Sequence, residues 1–236
     1  MIRLENLTVS FGGVTALDAL DVEFTAPVVG LIGPNGAGKT TLLNVMSGFV
    51  TPRRGDVFLA GQRLTKLRPA DRARLGLRRT FQQEQVVEEL TVWENVQAIA
   101  DHLADPRQVR AEIARAIGRV GLSGREQIPG AHLNLLERRL VELAKTLVGG
   151  PKAILLDEPG AGLDEIESRR LFSLLKDIPA ELGAQIVVID HDAEMISSFC
   201  EQTVVLDFGR LLACGQTKAV LNDDAVRRAY LGSASS

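Results

Sequence analysis

The stretch GPNGAGKTT, residues 33–41, constrains the fold of this chain more than any other part of the sequence. It fits the pattern GxxxxGK[ST], in which glycine backbone N–H groups surround a phosphate group and a lysine neutralises its charge. The apolar run VVGLIG (28–33) precedes it, and KTTLLNVMSGF (39–49), with apolar residues at helical spacing, follows it. A buried strand, a glycine-rich turn and the start of a helix, in this order, predict a phosphate-binding loop.

The residue types in this loop predict binding of ATP together with Mg²⁺. We expect Lys39 to neutralise the β- and γ-phosphate oxygens and Thr40 to ligate Mg²⁺. A chance match in a glycine-rich chain is the alternative, and the flanking strand and helix argue against it. The nucleotide-binding residues expected in the loop are Asn35, Gly36, Ala37, Gly38, Lys39, Thr40 and Thr41.

Two further apolar runs end in residues that suit phosphate hydrolysis. ILLDEP (154–159) ends in adjacent carboxylates, and we expect Asp157 to hold Mg²⁺ through water and Glu158 to polarise the attacking water. Without the phosphate-binding loop, the same run would be as well explained by a core strand followed by a surface loop. In IVVIDHD (186–192), His191 follows a strand whose end would reach the same edge of a parallel sheet.

The remaining pattern predicts an α/β fold interrupted by helices. Residues 2–11 and 19–24 alternate apolar and polar side chains, as antiparallel strands with one buried face do, and residues 90–147 have a helical pattern. We therefore expect a mixed core sheet with an N-terminal antiparallel β-subdomain and a helical subdomain. The predicted parts of one domain, residues 1–236, are the core with the β-subdomain (1–84 and 148–236) and the helical subdomain (85–147).

Composition excludes several other classes of protein. A net charge of −3 is not the basic balance of a nucleic-acid-binding protein, so we expect no DNA or RNA partner. The two cysteines lack metal-ligand spacing, and no apolar run approaches the roughly 20 residues that span a bilayer. The start MIRLENLTVSFGG reaches acidic and polar residues at once, so we do not expect it to be a signal peptide. The arginine-rich segment 63–79 is expected to form a solvated face.

Taken in order, these motifs resemble those of the ATP-binding subunits of ABC transporters. The resemblance implies a P-loop NTPase of the ABC-ATPase fold and assigns roles to further residues. Phe11 in SFGG would stack on adenine, and Gln82 in RTFQQ would reach Mg²⁺ and the attacking water and report the nucleotide state to membrane subunits. Asp164 in AGLD matches the D-loop, and His191 matches the switch histidine. The implied catalytic residues are Glu158, His191 and Gln82.

Within this family the segments RTFQ, LTVWENV and RRAYLG are most similar to the branched-chain amino-acid transport ATPases. ATPases for urea, amides and lipopolysaccharide share parts of these segments. The resemblance implies the motor of an importer at the cytoplasmic face of the cell membrane. Its partners would be integral membrane permease subunits, a second ATPase subunit or a second copy and, indirectly, an extracytoplasmic solute-binding protein. A permease-free soluble ATPase and a regulatory subunit with little hydrolysis are the alternatives.

One motif of the family is altered. LNLLE (133–137) falls on the positions of the LSGGQ signature, whose serine and glycines bind the γ-phosphate of ATP held by the opposing subunit. Here Asn134 would replace the serine, two leucines replace bare backbone, and Glu137 would repel phosphate unless Arg138 offsets its charge. Either this helix start still binds weakly, or the signature is degenerate and a partner supplies the functional one. We favour the second interpretation, which implies a heterodimer.

Overall fold

The computed structural model describes residues 1–103 and 105–231. The N-terminal part forms a four-stranded antiparallel sheet in the order β2-β1-β4-β5. Its strands are β1 (Ile2–Phe11), β2 (Val14–Phe24), β4 (Arg54–Leu59) and β5 (Gln62–Arg63). Residues on one face of β1 are buried and their neighbours are exposed, which is the alternation expected for a sheet with one face in the core. Strand β2 begins five residues before its predicted start at residue 19, directly after the glycine turn.

The second sheet has six strands in the order β10-β9-β3-β8-β7-β6. Its strands are β3 (Val28–Ile32), β6 (Leu77–Arg79), β7 (Ala153–Asp157), β8 (Gln185–Ile189), β9 (Gln202–Asp207) and β10 (Arg210–Gln216). All are parallel except β10, which pairs with β9 in antiparallel fashion. Every residue of β3, β7 and β8 is buried, because both faces of the sheet are covered. The predicted α/β fold with a mixed core sheet and an N-terminal antiparallel sheet is confirmed.

Helices cover both faces of this sheet. They are α1 (Lys39–Ser47), α2 (Pro69–Arg74), α3 (Val92–Leu103), α4 (Val109–Arg119), α5 (Leu135–Leu147), α6 (Glu165–Leu182), α7 (Ala193–Phe199), α8 (Thr217–Leu221) and α9 (Asp224–Val226). Short turns of 3₁₀ and π geometry cover Gly130–His132 and Arg227–Leu231. Over the residues that the structure describes, no helix is both long and apolar enough to cross a bilayer.

Alternate residues of the central strands enter two different hydrophobic cores. Ile154 and Leu156 of β7 pack in the core that contains α3, α4, α5 and α6. Leu155 of the same strand packs on the opposite face, in the core that contains α1 and the antiparallel sheet. The six-stranded sheet therefore holds the helical segment on one side and the phosphate-loop helix on the other.

The arginine-rich segment 63–79 is only partly the solvated face that its charge predicts: Arg63, Arg68 and Arg74 are exposed, but two other arginines are buried. It forms α2 and β6, and Arg72 and Arg78 are only 2% and 4% exposed. The Arg72 guanidinium donates to four carbonyl oxygens, and two of them belong to the C-terminal turn of α1. A buried cation at the negative end of a helix is electrostatically favourable, so this arginine fastens α2 to α1.

Candidate active site

The carboxyl ends of three parallel strands place the predicted site residues along one edge of the sheet. Leu31 of β3 and Asp157 of β7 are both paired with Ile189 of β8, so the three strands end at the same level. The phosphate-binding loop follows β3, Glu158 follows β7, and His191 lies just beyond the end of β8. This is the edge at which ligands bind in open α/β sheets.

The glycines of the loop allow close backbone approaches that a side chain would prevent. Gly33 and Gly38 have φ values of 152° and 101°, in the region where L-residues are strained. A Cβ atom on Gly38 would lie 2.7 Å from the Ala16 carbonyl oxygen. This contact sets β2 against the start of α1, and the ring of Phe11, at the end of β1 in the same hairpin, is half-exposed.

Helix α1 begins at this loop without any cap of its own. Gly38 is the N-cap residue, no side chain bonds to the first turn, and that turn contains no acidic residue. Asn35, Gly36 and Thr40 are exposed, whereas Ala37 is buried. The backbone N–H groups of a helix start attract anions, so the uncapped end of α1 fits the phosphates of a nucleotide.

Lys39 lies at the centre of the loop. Its Nζ donates to the carbonyl oxygens of Gly33 (2.6 Å) and Pro34 (3.0 Å), and the residue is only 7% exposed. Burial lowers the pKa of Lys39, and the carboxylates of Glu158 and Asp157 oppose that shift. The Lys39 cation thus faces the two acidic residues at the end of β7, Asp157 and Glu158.

Asp157 has one oxygen engaged and one without a partner. Its Oδ2 accepts a hydrogen bond from Arg79 Nη2 (3.1 Å), whereas Oδ1 is buried and has no hydrogen-bond partner among the described residues. Burial raises the pKa of Asp157, and the Arg79 cation is the main opposing cause. A buried carboxylate oxygen near Lys39 and the first turn of α1 fits a hard oxygen-liganded cation such as Mg²⁺. Thr40 on that turn would supply a second oxygen.

Glu158 and His191 are joined directly. Glu158 Oε1 lies 2.6 Å from His191 Nε2, and the two side chains are 24% and 49% exposed. Glu158 has a φ of 50°, which costs a non-glycine residue roughly 1–2 kcal/mol. Its backbone N–H also donates to the Ile189 carbonyl oxygen, which fixes this strained turn. The structure thus holds a carboxylate and an imidazole together at the solvent-open end of the site.

Two of the other predicted residues lie at the margin of this arrangement. Gln82 is exposed in the loop directly after β6, the strand next to β7. Asp164 is the N-cap of α6: its side chain accepts from the Glu167 N–H (2.8 Å), and Glu167 accepts from the Asp164 N–H (3.3 Å). The structure therefore shows Asp164 in a helix-capping position.

The start of α5, where the altered signature lies, is closed by its own side chains. Asn134 Oδ1 accepts from the Glu137 N–H (2.9 Å), and Glu137 Oε2 accepts from the Asn134 N–H (3.0 Å). Arg125 pairs with the Glu137 carboxylate at 2.9 Å. Arg138, which the sequence left open as a counter-charge for Glu137, pairs with Glu88 instead. Adjacent residues of a helix point in different directions, which sequence distance alone does not convey.

The two leucines of the altered signature are also placed differently from the sequence interpretation. Leu136 is 5% exposed and packs in the helical core, so it does not cover the helix end. Leu135 is half-buried, and its Cδ2 would lie 3.1 Å from a Cβ atom on Gly162 in the turn before α6. What occupies the helix start is therefore the Glu137 carboxylate rather than leucine side chains.

A groove of about 610 Å³ lies beside Gln82, between α2, the end of α1 and the helices α3 and α5. Its walls are largely apolar, with basic groups among them. Lining residues include Phe49, Ala73, Phe81, Ile99, Leu103 and Lys145. Sequence reasoning missed both this groove and Arg79, although a basic residue directly before the Gln82 loop was the available signal.

Comparison with known proteins identifies the family. Residues 20–161 match the family model described as ABC transporter. A lipopolysaccharide export system ATP-binding protein, LptB of Acidithiobacillus ferridurans, is 36% identical over 88% of this chain and 86% of its own. The high-affinity branched-chain amino acid transport ATP-binding protein LivG of Escherichia coli K12 is 32% identical over 99% of this chain and 98% of its own. The ADP conformation of MJ1267, an ATP-binding cassette of an ABC transporter, superposes with a TM-score of 0.88 at 28% identity over 98% of both chains.

Proposed function

The chain belongs to the ABC transporter family as an ATP-hydrolysing motor subunit, and from this premise we propose that it drives an importer of branched-chain or related amino acids. The proposal covers the roles of individual residues, the identity of the second ATPase chain, the permease contact and the cargo. The single observation that most supports the proposed residue roles in ATP hydrolysis is the Glu158–His191 pair beside Lys39 and Asp157 at the sheet edge.

In the proposed mechanism the phosphates of ATP lie on the uncapped start of α1. Lys39 neutralises the β- and γ-phosphate oxygens, and Phe11 stacks on the adenine ring. Mg²⁺, when bound through Thr40, Gln82 and the free oxygen of Asp157, would neutralise charge on the phosphates. Glu158 accepts a proton from the water that attacks the γ-phosphorus, while His191 holds the Glu158 carboxylate in position and contacts the γ-phosphate. The bond to the leaving oxygen of ADP breaks as the new P–O bond forms.

Replacing Glu158 by Gln tests this assignment. Without the proton acceptor the complex should bind ATP, form a stable dimer and hydrolyse at least about 100-fold more slowly, which is the lower range for loss of a general base. Size-exclusion chromatography with and without ATP, alongside a phosphate-release assay, measures both effects. Hydrolysis at the wild-type rate would show that a group other than Glu158 accepts the proton. A variant that forms no ATP-dependent dimer would support a regulatory subunit.

The closed start of α5 supports a heterodimer. In this arrangement Asn134 retains at most a weak contact with the opposing nucleotide, because its side-chain oxygen is already used as a cap. The Glu137 carboxylate places negative charge where the family presents free N–H groups to a γ-phosphate. The active site that holds ATP on this chain would then be completed by the intact signature of a partner. The ATP held by the partner would face the altered signature of this chain and would be hydrolysed poorly. Asp164 of the turn before α6 would meet the partner across the same interface.

The heterodimer is tested by comparing ATP hydrolysis by the purified chain with hydrolysis by its complex with the second ATPase chain. The purified chain alone should dimerise weakly and hydrolyse ATP slowly, and addition of the co-purified second ATPase should raise its turnover. Within the two-chain complex, Glu158→Gln in this chain should stop most hydrolysis, whereas the equivalent change in the partner should stop little. Rapid hydrolysis by the isolated chain at low concentration would instead support a homodimer.

The groove beside Gln82 is the surface proposed to receive the permease. It lies at the junction of the core (1–84 and 148–236) and the helical segment (85–147), the two parts that we propose move relative to each other. A segment of a permease seated there would contact the loop of Gln82 directly. In this proposal the chain is a peripheral subunit at the cytoplasmic face of the membrane, and an extracytoplasmic binding protein acts through the permease.

The cargo proposal depends on relatedness alone. Similarity to LivG extends over 99% of this chain, whereas LptB, an export protein, is more identical over a shorter part, so lipopolysaccharide export is the second candidate. Co-purified membrane subunits reconstituted in vesicles should give leucine-stimulated ATP hydrolysis with a binding protein present. Stimulation by lipopolysaccharide but not by any amino acid would favour export. Hydrolysis in a complex that contains no membrane subunit would favour a permease-free ATPase.

A further inference from the structure

Arg79, the last residue of β6, contacts two parts of the nucleotide site that belong to different elements. Its side chain is only 7% exposed, and Nη2 donates to Asp157 Oδ2 at 3.1 Å. Nη1 donates to Asn44 Oδ1 (2.6 Å) and Ser47 Oγ (3.0 Å), both on α1. One guanidinium therefore connects the strand before the Gln82 loop, the helix after the phosphate-binding loop, and the acidic end of β7.

These contacts use the fixed geometry of a guanidinium. Its nitrogens lie in one plane at set angles, so a bond to α1 on one side determines where the other side can meet Asp157. The ring of Phe81 lies over the guanidinium, with its centroid 5.1 Å from the Cζ atom. Phe81 in turn packs edge-on against Phe49 at 5.6 Å between ring centroids. A lysine could supply the charge but not the several directed bonds.

The contact with Asp157 selects one of its two oxygens. Oδ2 is held by Arg79, while Oδ1, also buried, keeps its lone pairs without a partner among the described residues. A carboxylate free to rotate would offer either oxygen or would turn toward the guanidinium with both. Because Arg79 is anchored on α1, the helix that also contains Thr40, it fixes Asp157 relative to that residue.

We propose that Arg79 is a positioning residue. It orients the Asp157 carboxylate so that Oδ1 faces the metal of a metal–nucleotide complex, and it fixes that carboxylate relative to α1. This inference rests on the proposed metal-binding role of Asp157. Residues that hydrogen-bond to a metal ligand and orient it typically weaken metal affinity about 10- to 100-fold when they are removed. The effect should therefore appear in metal binding and not in nucleotide binding without metal.

The neighbouring Arg78 is a matched control. It is also buried and lies on the same strand, but its guanidinium donates to the backbone carbonyls of Ala73, Val148 and Gly149 and, among the described residues, has no hydrogen bond to the proposed site. Burial lowers the pKa of Arg78 to about 10. Loss of either arginine should reduce stability, so only a difference in metal binding between the two variants reports on positioning.

The experiment measures Mn²⁺ binding by electron paramagnetic resonance on the full chain with a non-hydrolysable ATP analogue. Arg79→Met should weaken Mn²⁺ binding about 10- to 100-fold, with analogue affinity in EDTA and the Arg78→Met variant both near wild type. Arg79→Lys should recover only part of the loss. If Arg79→Met does not fold, the Asn44→Ala/Ser47→Ala double variant, which releases the guanidinium from α1 but keeps Asp157 paired, should still weaken Mn²⁺ binding.

Two results would overturn the inference: Mn²⁺ affinity unchanged in the folded Arg79 variants and the double variant, or equal losses in the Arg78 and Arg79 variants. Asp157→Asn separates this failure from a failure of the proposed function. If Asp157→Asn retains wild-type Mn²⁺ binding, Asp157 is not the metal ligand and the proposed site itself is wrong. If it loses Mn²⁺ binding while Arg79→Met does not, only the positioning role is wrong.

Discussion

The starts of helices α1 and α5 use the same backbone groups in opposite ways. Helix α1 begins at Gly38 with no side-chain cap and no acidic residue in its first turn. Helix α5 begins at Asn134 with a complete capping box, and Arg125 pairs with the capping Glu137. The first helix start has no side-chain acceptor for its N–H groups, whereas at the second the Asn134 Oδ1 accepts from the Glu137 N–H and the Glu137 carboxylate accepts from the Asn134 N–H.

The difference shows that a helix N-terminus can stabilise the fold or bind a ligand, but its N–H groups cannot do both at once. A glycine cap costs stability and leaves N–H groups open. An Asn-x-x-Glu box restores that stability and removes the anion site. If α1 is the phosphate-binding end and α5 the self-capped end, changes at α1 should alter catalysis and changes at α5 should mainly alter stability.

The largest expected effect on catalysis comes from Lys39→Ala at α1. Loss of the cation enclosed by the loop should lower ATP hydrolysis by the two-chain complex about 10²- to 10³-fold, the range for removing one charge-stabilising group. Phosphate release measures the rate, and binding of a fluorescent ATP analogue measures affinity. Lys218→Ala, an exposed lysine on α8, is the control and should leave both unchanged. Wild-type turnover by Lys39→Ala would show that α1 is not the phosphate-binding end.

Leu136→Gly should give the largest effect on stability. Restoring this signature glycine removes a side chain that is 5% exposed in the helical core, so the free energy of unfolding should fall by about 3–5 kcal/mol. Leu135→Gly, at a half-buried position, should cost clearly less. Urea denaturation of both variants measures the difference. Equal losses would mean that Leu136 is not a core residue.

Asn134→Ala should lower the free energy of unfolding by about 1 kcal/mol, the usual loss for an N-cap acceptor. Thr91→Ala is the control, since Thr91 and Glu94 form the same reciprocal pair at the start of α3. The two variants should be destabilised by similar amounts in urea denaturation. A much smaller loss for Asn134→Ala would indicate that the α5 cap contributes little to the fold.

Glu137→Gln should produce the smallest effect and the most specific one. Removing the negative charge from the start of α5 while keeping an acceptor should raise hydrolysis by the isolated chain about two- to fivefold, which corresponds to the 0.3–1 kcal/mol of a charge at a helix end. Glu94→Gln removes an equivalent carboxylate from α3 and should leave the rate unchanged. A lower hydrolysis rate for Glu137→Gln, or an equal rise in both variants, would contradict the interpretation that the Glu137 charge hinders nucleotide binding at the start of α5.

The sequence was most informative where structure depends on neighbouring residues. The strained loop glycines are needed locally, so Gly33, Gly38 and Lys39 could be placed on a strand–loop–helix unit before any tertiary contact was known. The convergence of Asp157 and His191 follows from parallel strands ending at one edge. The confirmed α/β fold with its mixed sheet rests on the same patterns.

The sequence was least informative where charged side chains find partners far along the chain. Arg78 is buried because it satisfies the carbonyl oxygens of Val148 and Gly149, about 70 residues away. Likewise, Arg125 reaches Glu137 from a preceding loop. In the sequence Arg138 is the arginine adjacent to Glu137, so the pairing with Arg125 could not be predicted. Periodicity reports which face of an element is apolar, but it contains no information on which distant carbonyl or carboxylate a buried cation meets.

The capping box at the start of α5 has a consequence for transport thermodynamics. If the Glu137 carboxylate leaves the opposing nucleotide without a functional signature, each cycle of the assembled transporter consumes one ATP rather than two. The steepest concentration gradient that the transporter could maintain is then set by the free energy of a single hydrolysis event. Each 1.4 kcal/mol of that energy corresponds to a tenfold accumulation of cargo. The self-capped start of α5 would thus determine the ATP-to-cargo stoichiometry.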